Sequence, residues 1–266
     1  MSDASQSLQR LAGRHALITG AGSGIGAAIA RRLAAEGARV TLAGRRRKPL
    51  EDVRAALTIE AAFVADGFDV ADAEAIARGL AAARAALGPV DILVNNAGAA
   101  PSASFEKTDF ALWSEVLSTD LNGVFLVTKA ALADVQASSA GRIVNVASTA
   151  GLVGYSYVSA YCAAKHAVIG LTRALALELA RSRVTVNAVC PGFTDTPLLQ
   201  GAIDTIVAKT GRSREDATAS LARANPQGRL VRPEEVADTV AWLVSPDAGA
   251  ITGQAIVIAG GEVMAG

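Results

Sequence analysis

Apolar positions along the chain recur at two periods that take turns. Short apolar or β-branched runs at His15–Thr19, Arg39–Ala43, Ala62–Ala65, Asp91–Val94, Arg142–Ala147 and Val184–Val189 read as strands. Most are apolar throughout rather than alternating, as strands covered on both faces are. Helical spacing fills the intervals, over Ile25–Glu36, Leu50–Leu57, Asp72–Leu87, a long stretch from about Phe110 to Asp134, and Val158–Ala180. In Asp72–Leu87, Ala and Leu repeat at helical spacing beside Arg78 and Arg84. Such alternation, with right-handed crossovers, specifies an α/β fold: a doubly wound parallel sheet of Rossmann type with helices on both faces.

One segment breaks the rhythm. Phe193–Gln227 is polar and mixed, carries Gly201, Gly211 and Pro226, and reads as a long loop segment with Gly211-Arg212-Ser213 between two weak helices. Loops of that length in a compact domain are commonly lids over a binding site, although a tolerated surface insertion has the same look.

Composition narrows the functional classes. Of 266 residues, 51% are hydrophobic, and 25 Lys and Arg balance 25 Asp and Glu. A neutral, apolar-rich chain can bury a large core and has no overall basic field for nucleic acid. Two cysteines, Cys162 and Cys190, and two distant histidines, His15 and His166, form no metal-ligand spacing, so no metal is expected. Met1–Arg14 has no apolar leader core, and no stretch approaches the roughly 20 uninterrupted apolar residues of a membrane span. The expected location is the cytoplasm, with neither membrane nor nucleic acid as a partner.

Local chemistry concentrates after the first strand, in Thr19-Gly20-Ala21-Gly22-Ser23-Gly24-Ile25-Gly26. A helix opening there presents unpaired N–H groups to phosphate, beyond the C-terminal end of a strand, where open α/β sheets bind ligands. Gly20 permits the tight turn, while Gly24 and Gly26 remove side chains where a pyrophosphate approaches and helix packs on sheet. Ser23 and Ile25 complete the candidate dinucleotide-binding turn. After the second strand, Arg45-Arg46-Arg47-Lys48 stands where such a site meets the adenosine ribose, and Ala43–Lys48 contains no carboxylate. Arginine pairs with a 2′-phosphate, so NADP(H) is expected over NAD(H), resting on Arg45 first and Arg46 second.

Tyr161 and Lys165, four apart, project from one face of a predicted helix, and Ser148 lies just past the preceding strand. Ketone reduction by hydride needs a proton donor for the developing alkoxide. A phenol is too weak an acid unless a cation stabilises its phenolate. Lys165 would supply that charge, Ser148 would orient the carbonyl oxygen, and Tyr161 would be general acid in reduction and base in oxidation.

Thr19–Gly26, Asp69-Val70, Asn95–Gly98, Ser148, Tyr161-Cys162-Ala163-Ala164-Lys165 and Cys190-Pro191-Gly192 together resemble the short-chain dehydrogenase/reductase family in order and spacing, over about His15–Gly261. The resemblance implies a sheet of about seven strands and an extended nicotinamide cofactor. It places Asp69 and Val70 at the adenine and Asn96, Ala97 and Gly98 on the adenosine ribose side. Lys165 falls at the nicotinamide ribose, with Tyr161 beside the cofactor, and Pro191, Gly192, Thr194 and Thr196 around the carboxamide. It also implies a homotetramer whose dimer faces use the two long helices, with Ile251–Gln254 and a last strand, Ala255–Ala259, at a C-terminal interface.

Asp120 departs from the pattern. It aligns with the family's usual asparagine, a fourth catalytic residue that helps hold a water linking the lysine to solvent; Asn122 points elsewhere. An ionised aspartate accepts hydrogen bonds there but cannot donate them, so an altered proton relay is expected. Tyr155 and Tyr157 are expected to wall the substrate pocket, and His166 to be structural.

The expected organisation is therefore an N-terminal tail over 1–13 and a single dinucleotide-binding catalytic domain over 14–266, with a substrate loop at about 193–227. The motifs most resemble bacterial 3-oxoacyl-thioester and polyketide ketoreductases, which implies a 3-oxoacyl thioester substrate. Arg212, Arg214 and Arg223 could then meet phosphates of coenzyme A or a carrier protein, although Asp204, Glu215 and Asp216 dilute that field and plain solvated charge is an equal alternative. Another small ketone, aryl alcohol, sugar or steroid is the alternative substrate, and a non-catalytic nucleotide sensor is the alternative of another class.

Overall fold

The computed structural model describes residues 9–57 and 61–264. Seven strands, β1 (His15–Thr19), β2 (Arg39–Ala43), β3 (Ala62–Ala65), β4 (Ile92–Asn95), β5 (Arg142–Val146), β6 (Thr185–Pro191) and β7 (Ala255–Ile258), form one parallel sheet in the order β3-β2-β1-β4-β5-β6-β7. Every residue of β1, β4, β5 and β6 is buried, which explains why their sequences do not alternate. The strand order reverses between β1 and β4, and β1 pairs with both β2 and β4. That crevice is the topological switch point at which open α/β sheets bind ligands.

Helices α1 (Gly24–Ala35), α2 (Arg47–Ala55), α3 (Ala73–Leu87), α4 (Phe110–Leu117), α5 (Gly123–Ala137), α6 (Ser159–Glu178), α7 (Pro197–Thr210), α8 (Arg214–Ala222) and α9 (Pro233–Val244) connect and cover the strands. One apolar core joins α1 and α9 to the sheet through Ile29, Leu33, Val236 and Val240, and another joins α3 and α5 to it through Ile76, Leu80, Val127 and Ala131. Hydropathy spacing did not single out α9, although Pro233 at its first turn and Glu234 and Glu235 behind it are start signals.

Three expectations are refined. The expected helix from Phe110 to Asp134 runs as one continuous stretch, Phe110–Ala137, with a π turn at Ser118–Asn122 joining α4 to α5. The stretch Phe110–Ala137 is long and apolar enough to cross a membrane by length and composition, but it carries Glu115, Asp120, Lys129 and Asp134. The two weak helices expected within the loop 193–227 are well formed and pack as a hairpin, α7 and α8, with its own small core of Leu199, Ile203 and Ala217. Its signals are local: Thr196 caps α7, Pro197 opens it, Gly211 closes it in the left-handed region at φ +69°, and Ser213 caps α8. Of the expected tail 1–13, residues 1–8 lie outside the described residues; from Gln9 the chain is docked, with Leu11 fully buried and Arg10 bonded to Glu36.

Candidate active site

The glycine turn closes the crevice from the β1 side. Gly20 and Gly24 hold left-handed backbone, φ +65° and +53°. At Gly26 a Cβ would stand 2.4 Å from both the Gly20 carbonyl oxygen and the Asn96 amide nitrogen, so only glycine allows α1 to pack here. Asn96 holds the turn, donating from its side chain to the Thr19 carbonyl (2.9 Å), while the Thr19 hydroxyl accepts the Asn96 and Ala97 N–H groups at 3.0 Å. Ser23 is exposed at the N-cap of α1 and makes no capping hydrogen bond, which leaves its hydroxyl and the first helical N–H groups facing outward. Ile25 is half-buried behind it, and Thr196 from the far side of the crevice packs within 3.1 Å of a Cβ at Gly24.

The four cations after β2 divide into two pairs. Arg47 bonds Glu51 and lies 3.8 Å from Asp66, and Lys48 bonds Asp52. Arg45 and Arg46 are exposed and have no side-chain partner among the described residues. Asp69 accepts the Ala71 N–H, and Val70 packs against Gly123 at the head of α5. Thr19, Val70, Asn95, Ala97 and Thr119 line a small hollow along the switch point.

Beyond β4 and β5 the sheet carries its polar network. Asn95 and Asn145, cross-strand neighbours, are joined by a 2.9 Å hydrogen bond; Asn95 also donates to Thr128 of α5 and Asn145 to Thr172 of α6. Each such bond contributes about 1 kcal/mol net. Together they tie the two long helices to the centre of the sheet, which fixes where α6 presents Tyr161 and Lys165.

Lys165 is buried, donates to the Val146 carbonyl (3.1 Å) and lies 3.2 Å from Asp120 Oδ1. Its Nζ stands 5.4 Å from the centroid of the Tyr161 ring. Burial penalises its charge, but Asp120 and Tyr161 outweigh that and raise its pKa. Asp120 is fully buried in the π turn, and its Oδ2 accepts the Ala99 N–H at 3.0 Å. Burial raises its pKa against the opposing pull of Lys165. Gly98 lets the β4 loop pass over this pair, since a Cβ there would come within 2.6 Å of Asp120 Oδ1. Asn122 is exposed, away from the cluster.

Burial also raises the Tyr161 pKa; Lys165 lowers it, Asp120 raises it, and the Ser148 hydroxyl lowers it. Ser148 caps a short turn over Thr149–Gly151 by accepting the Ala150 N–H at 3.1 Å. Pro191 ends β6, and the Gly192 N–H bonds the Ile258 carbonyl. The Thr194 and Thr196 hydroxyls donate to carbonyls two residues back. The structure thus brings Ser148, Tyr161, Lys165 and Asp120 to one sheet edge.

Other candidates resolve differently. Cys190 is buried and its thiol is pushed up to about 11, so it holds no thiolate near neutrality. His166 is exposed and its Nδ1 pairs with the Cys162 carbonyl. Arg214 bonds Asp204 and Gln200 at the surface; Arg212 and Arg223 are exposed without side-chain partners among the described residues. Sequence reasoning missed Glu262, which follows the left-handed Gly260-Gly261 turn and accepts the Tyr155 hydroxyl. Its Oε2 is buried, unpartnered, and 2.7 Å from a Cβ placed at Gly192. The double glycine was the available signal, because it turns the chain back toward the site after β7.

A parallel sheet with a glycine turn at its switch point and a Ser–Tyr–Lys cluster at the same edge defines a dinucleotide-dependent oxidoreductase architecture. The short chain dehydrogenase family pattern matches residues 14–207, and the chain belongs to that family. It is 45% identical over 92% of both chains to a Streptomyces violaceoruber protein named as ketoacyl reductase 1 of the granaticin polyketide synthase. It is 42% identical to cis-4-hydroxycyclohexanecarboxylate dehydrogenase of Sinomonas cyclohexanicum, over 95% of this chain and 98% of the relative. A variant of actinorhodin polyketide ketoreductase solved with NADPH superposes with a TM-score of 0.87 at 42% identity, covering 94% of this chain and 97% of that one.

Proposed function

We propose that this protein is an NADP(H)-dependent ketoreductase that interconverts a 3-oxoacyl thioester and its 3-hydroxy product. The observation that carries the reading is the buried Lys165 ammonium 5.4 Å from the Tyr161 ring, with Ser148 acting on the same phenol. Likeness to the granaticin and actinorhodin ketoreductases supports the substrate class, and NADPH in the latter supports the cofactor.

The crevice fits a dinucleotide on its own residues. Ser23 and the uncapped start of α1, framed by Gly20, Gly24, Ile25 and Gly26, would hold the pyrophosphate. Arg45 and Arg46 would pair with the 2′-phosphate, because they alone of the four cations lack helix or loop partners among the described residues. Asp69 and Val70 would meet the adenine, and Asn96, Ala97 and Gly98 the adenosine ribose side. Pro191, Gly192, Thr194 and Thr196 would frame the carboxamide. Reduced cofactor supplies a hydride. Ser148 then orients the carbonyl oxygen, Tyr161 transfers its phenolic proton to that oxygen as the carbon–hydride bond forms, and Lys165 stabilises the phenolate that remains. Solvent reprotonates Tyr161.

We further propose a cytoplasmic location and a homotetramer, the latter using α4, α5 and α6 as faces, which the exposed Phe110, Phe125 and Leu177 on them support. The likeness to the cyclohexane-ring dehydrogenase favours a second reading, oxidation of a small alicyclic hydroxy acid. A panel of acetoacetyl thioesters, simple ketones and ring alcohols, assayed with both cofactors in both directions, tests the proposal. Highest kcat/KM with NADPH and a 3-oxoacyl thioester is expected. Cofactor binding without turnover of any substrate overturns it in favour of a nucleotide sensor.

A further inference from the structure

We propose that Asp120 is a built-in counter-charge to Lys165 that makes Tyr161 a proton donor and so biases the site toward carbonyl reduction. This rests on the reading of Tyr161 as the acid–base group. The placement is specific: an irregular π turn delivers a fully buried carboxylate to a buried ammonium. One carboxylate oxygen is anchored by the Ala99 N–H and the other faces Nζ at 3.2 Å. π turns of this kind concentrate at functional sites because they re-aim one side chain without ending the helix.

The electrostatic consequence follows from charge count. A lone buried ammonium beside a phenol favours the phenolate; a carboxylate on the far side of the ammonium makes the pair neutral and withdraws that field. The remaining groups around the phenol do not restore it. Ser148 lowers the phenol's pKa by hydrogen bonding but carries no charge, Cys162 raises it as Asp120 does, Cys190 acts on Lys165, and Arg173 acts on Cys190 rather than on the phenol. Burial raises the Tyr161 pKa and Asp120 raises it further, against Lys165. A protonated phenol is the form that reduction consumes, whereas oxidation requires the phenolate. The site is therefore poised for reduction across neutral pH, and oxidation is displaced to alkaline pH.

Asp120→Asn separates charge from shape, because the amide oxygen still accepts the Ala99 N–H. The first readout is the tyrosinate ultraviolet titration of the protein without cofactor, with Tyr161→Phe identifying the Tyr161 component among the three tyrosines. The second is the pH profile of turnover in each direction. In Asp120→Asn the Tyr161 titration and the oxidation limb are expected to move down by about one pH unit or more, or tenfold more phenolate at a given pH. A folded Asp120→Asn with the wild-type titration overturns the proposal. Asp120→Ser carries the same test if the asparagine variant does not fold. In wild type itself, a Tyr161 titrating below an ordinary phenol also overturns it. A shifted titration without turnover of any ketone preserves the counter-charge and rejects the ketoreductase reading instead.

Discussion

The two edges of the sheet bury charge in opposite ways. At the C-terminal edge, Lys165 and Asp120 form an ionisable pair, 3% and 0% exposed. At the N-terminal edge, Arg142 opens β5 and is equally buried, but its partners are the carbonyls of Gly141, Arg183 and Ser245. Arg14 beside it bonds the Val244 and Ala140 carbonyls, and burial pushes its pKa down to about 10. Strand β5 thus carries a guanidinium held by backbone at one end and leads to Ser148 at the other. Backbone acceptors do not titrate, so the Arg142 guanidinium keeps one charge state. The C-terminal edge has partners that exchange protons, which suits it to chemistry and exposes it to pH.

Lys165→Met should break the contrast most severely. It leaves the Asp120 carboxylate buried without its cation, at a cost of about 3–5 kcal/mol, and it abolishes turnover. Adding Asp120→Asn to that variant should restore most of the thermal stability and none of the activity, as denaturation and steady-state assays would read. Tyr161→Phe should lower kcat on the order of 10²–10⁴-fold with the melting temperature nearly unchanged, because the phenol, unlike the ammonium, leaves no orphaned charge behind.

How much of this was legible in the sequence follows the same division. Tyr161 and Lys165 share a helix, and Gly20, Gly24 and Gly26 share a turn, so their spacing alone reports their geometry. Six of the seven strands and their parallel sense likewise follow from the alternation of periods, and the seventh from the family resemblance. The π turn was not legible, because Ser118–Asn122 carries no breaker and its irregularity is stabilised by contacts from Ala99 and Lys165, distant in sequence. Glu262 was hidden for the same reason: its partner Tyr155 lies 107 positions away. The α7–α8 hairpin was legible as two weak helices around Gly211–Ser213, and polar composition, which describes its exposed faces, hid only how firmly they pack.

Arg142→Met should sharpen the comparison from the other side. It strips three carbonyls of a donor and should cost about 1–3 kcal/mol of stability, while kcat and its pH profile stay as in wild type. A shifted pH profile in this variant would mean that the two edges are coupled. Smaller still, Arg45→Ala should weaken NADPH binding about tenfold and leave NADH binding unchanged, by titration of cofactor fluorescence.

The smallest expected effect lies at His15, fully buried at the start of β1. Its Nδ1 sits 2.8 Å from the Gly88 carbonyl, so that nitrogen donates, and Nε2 accepts the Thr41 hydroxyl at 2.8 Å. Burial is the main cause that lowers its pKa in the folded state, with the carbonyls of Gly88 and Pro89 opposing it. A histidine kept neutral by folding contributes stability that is complete above the unfolded-state pKa of about 6.5 and lost as pH falls through the lower folded value. The melting temperature should therefore decline below about pH 6.5. His15→Asn, although less stable at every pH, should show a shallower decline over that window, since it has no imidazole to protonate. Parallel curves for the two proteins would mean that the acid sensitivity resides at the Asp120–Lys165 edge instead.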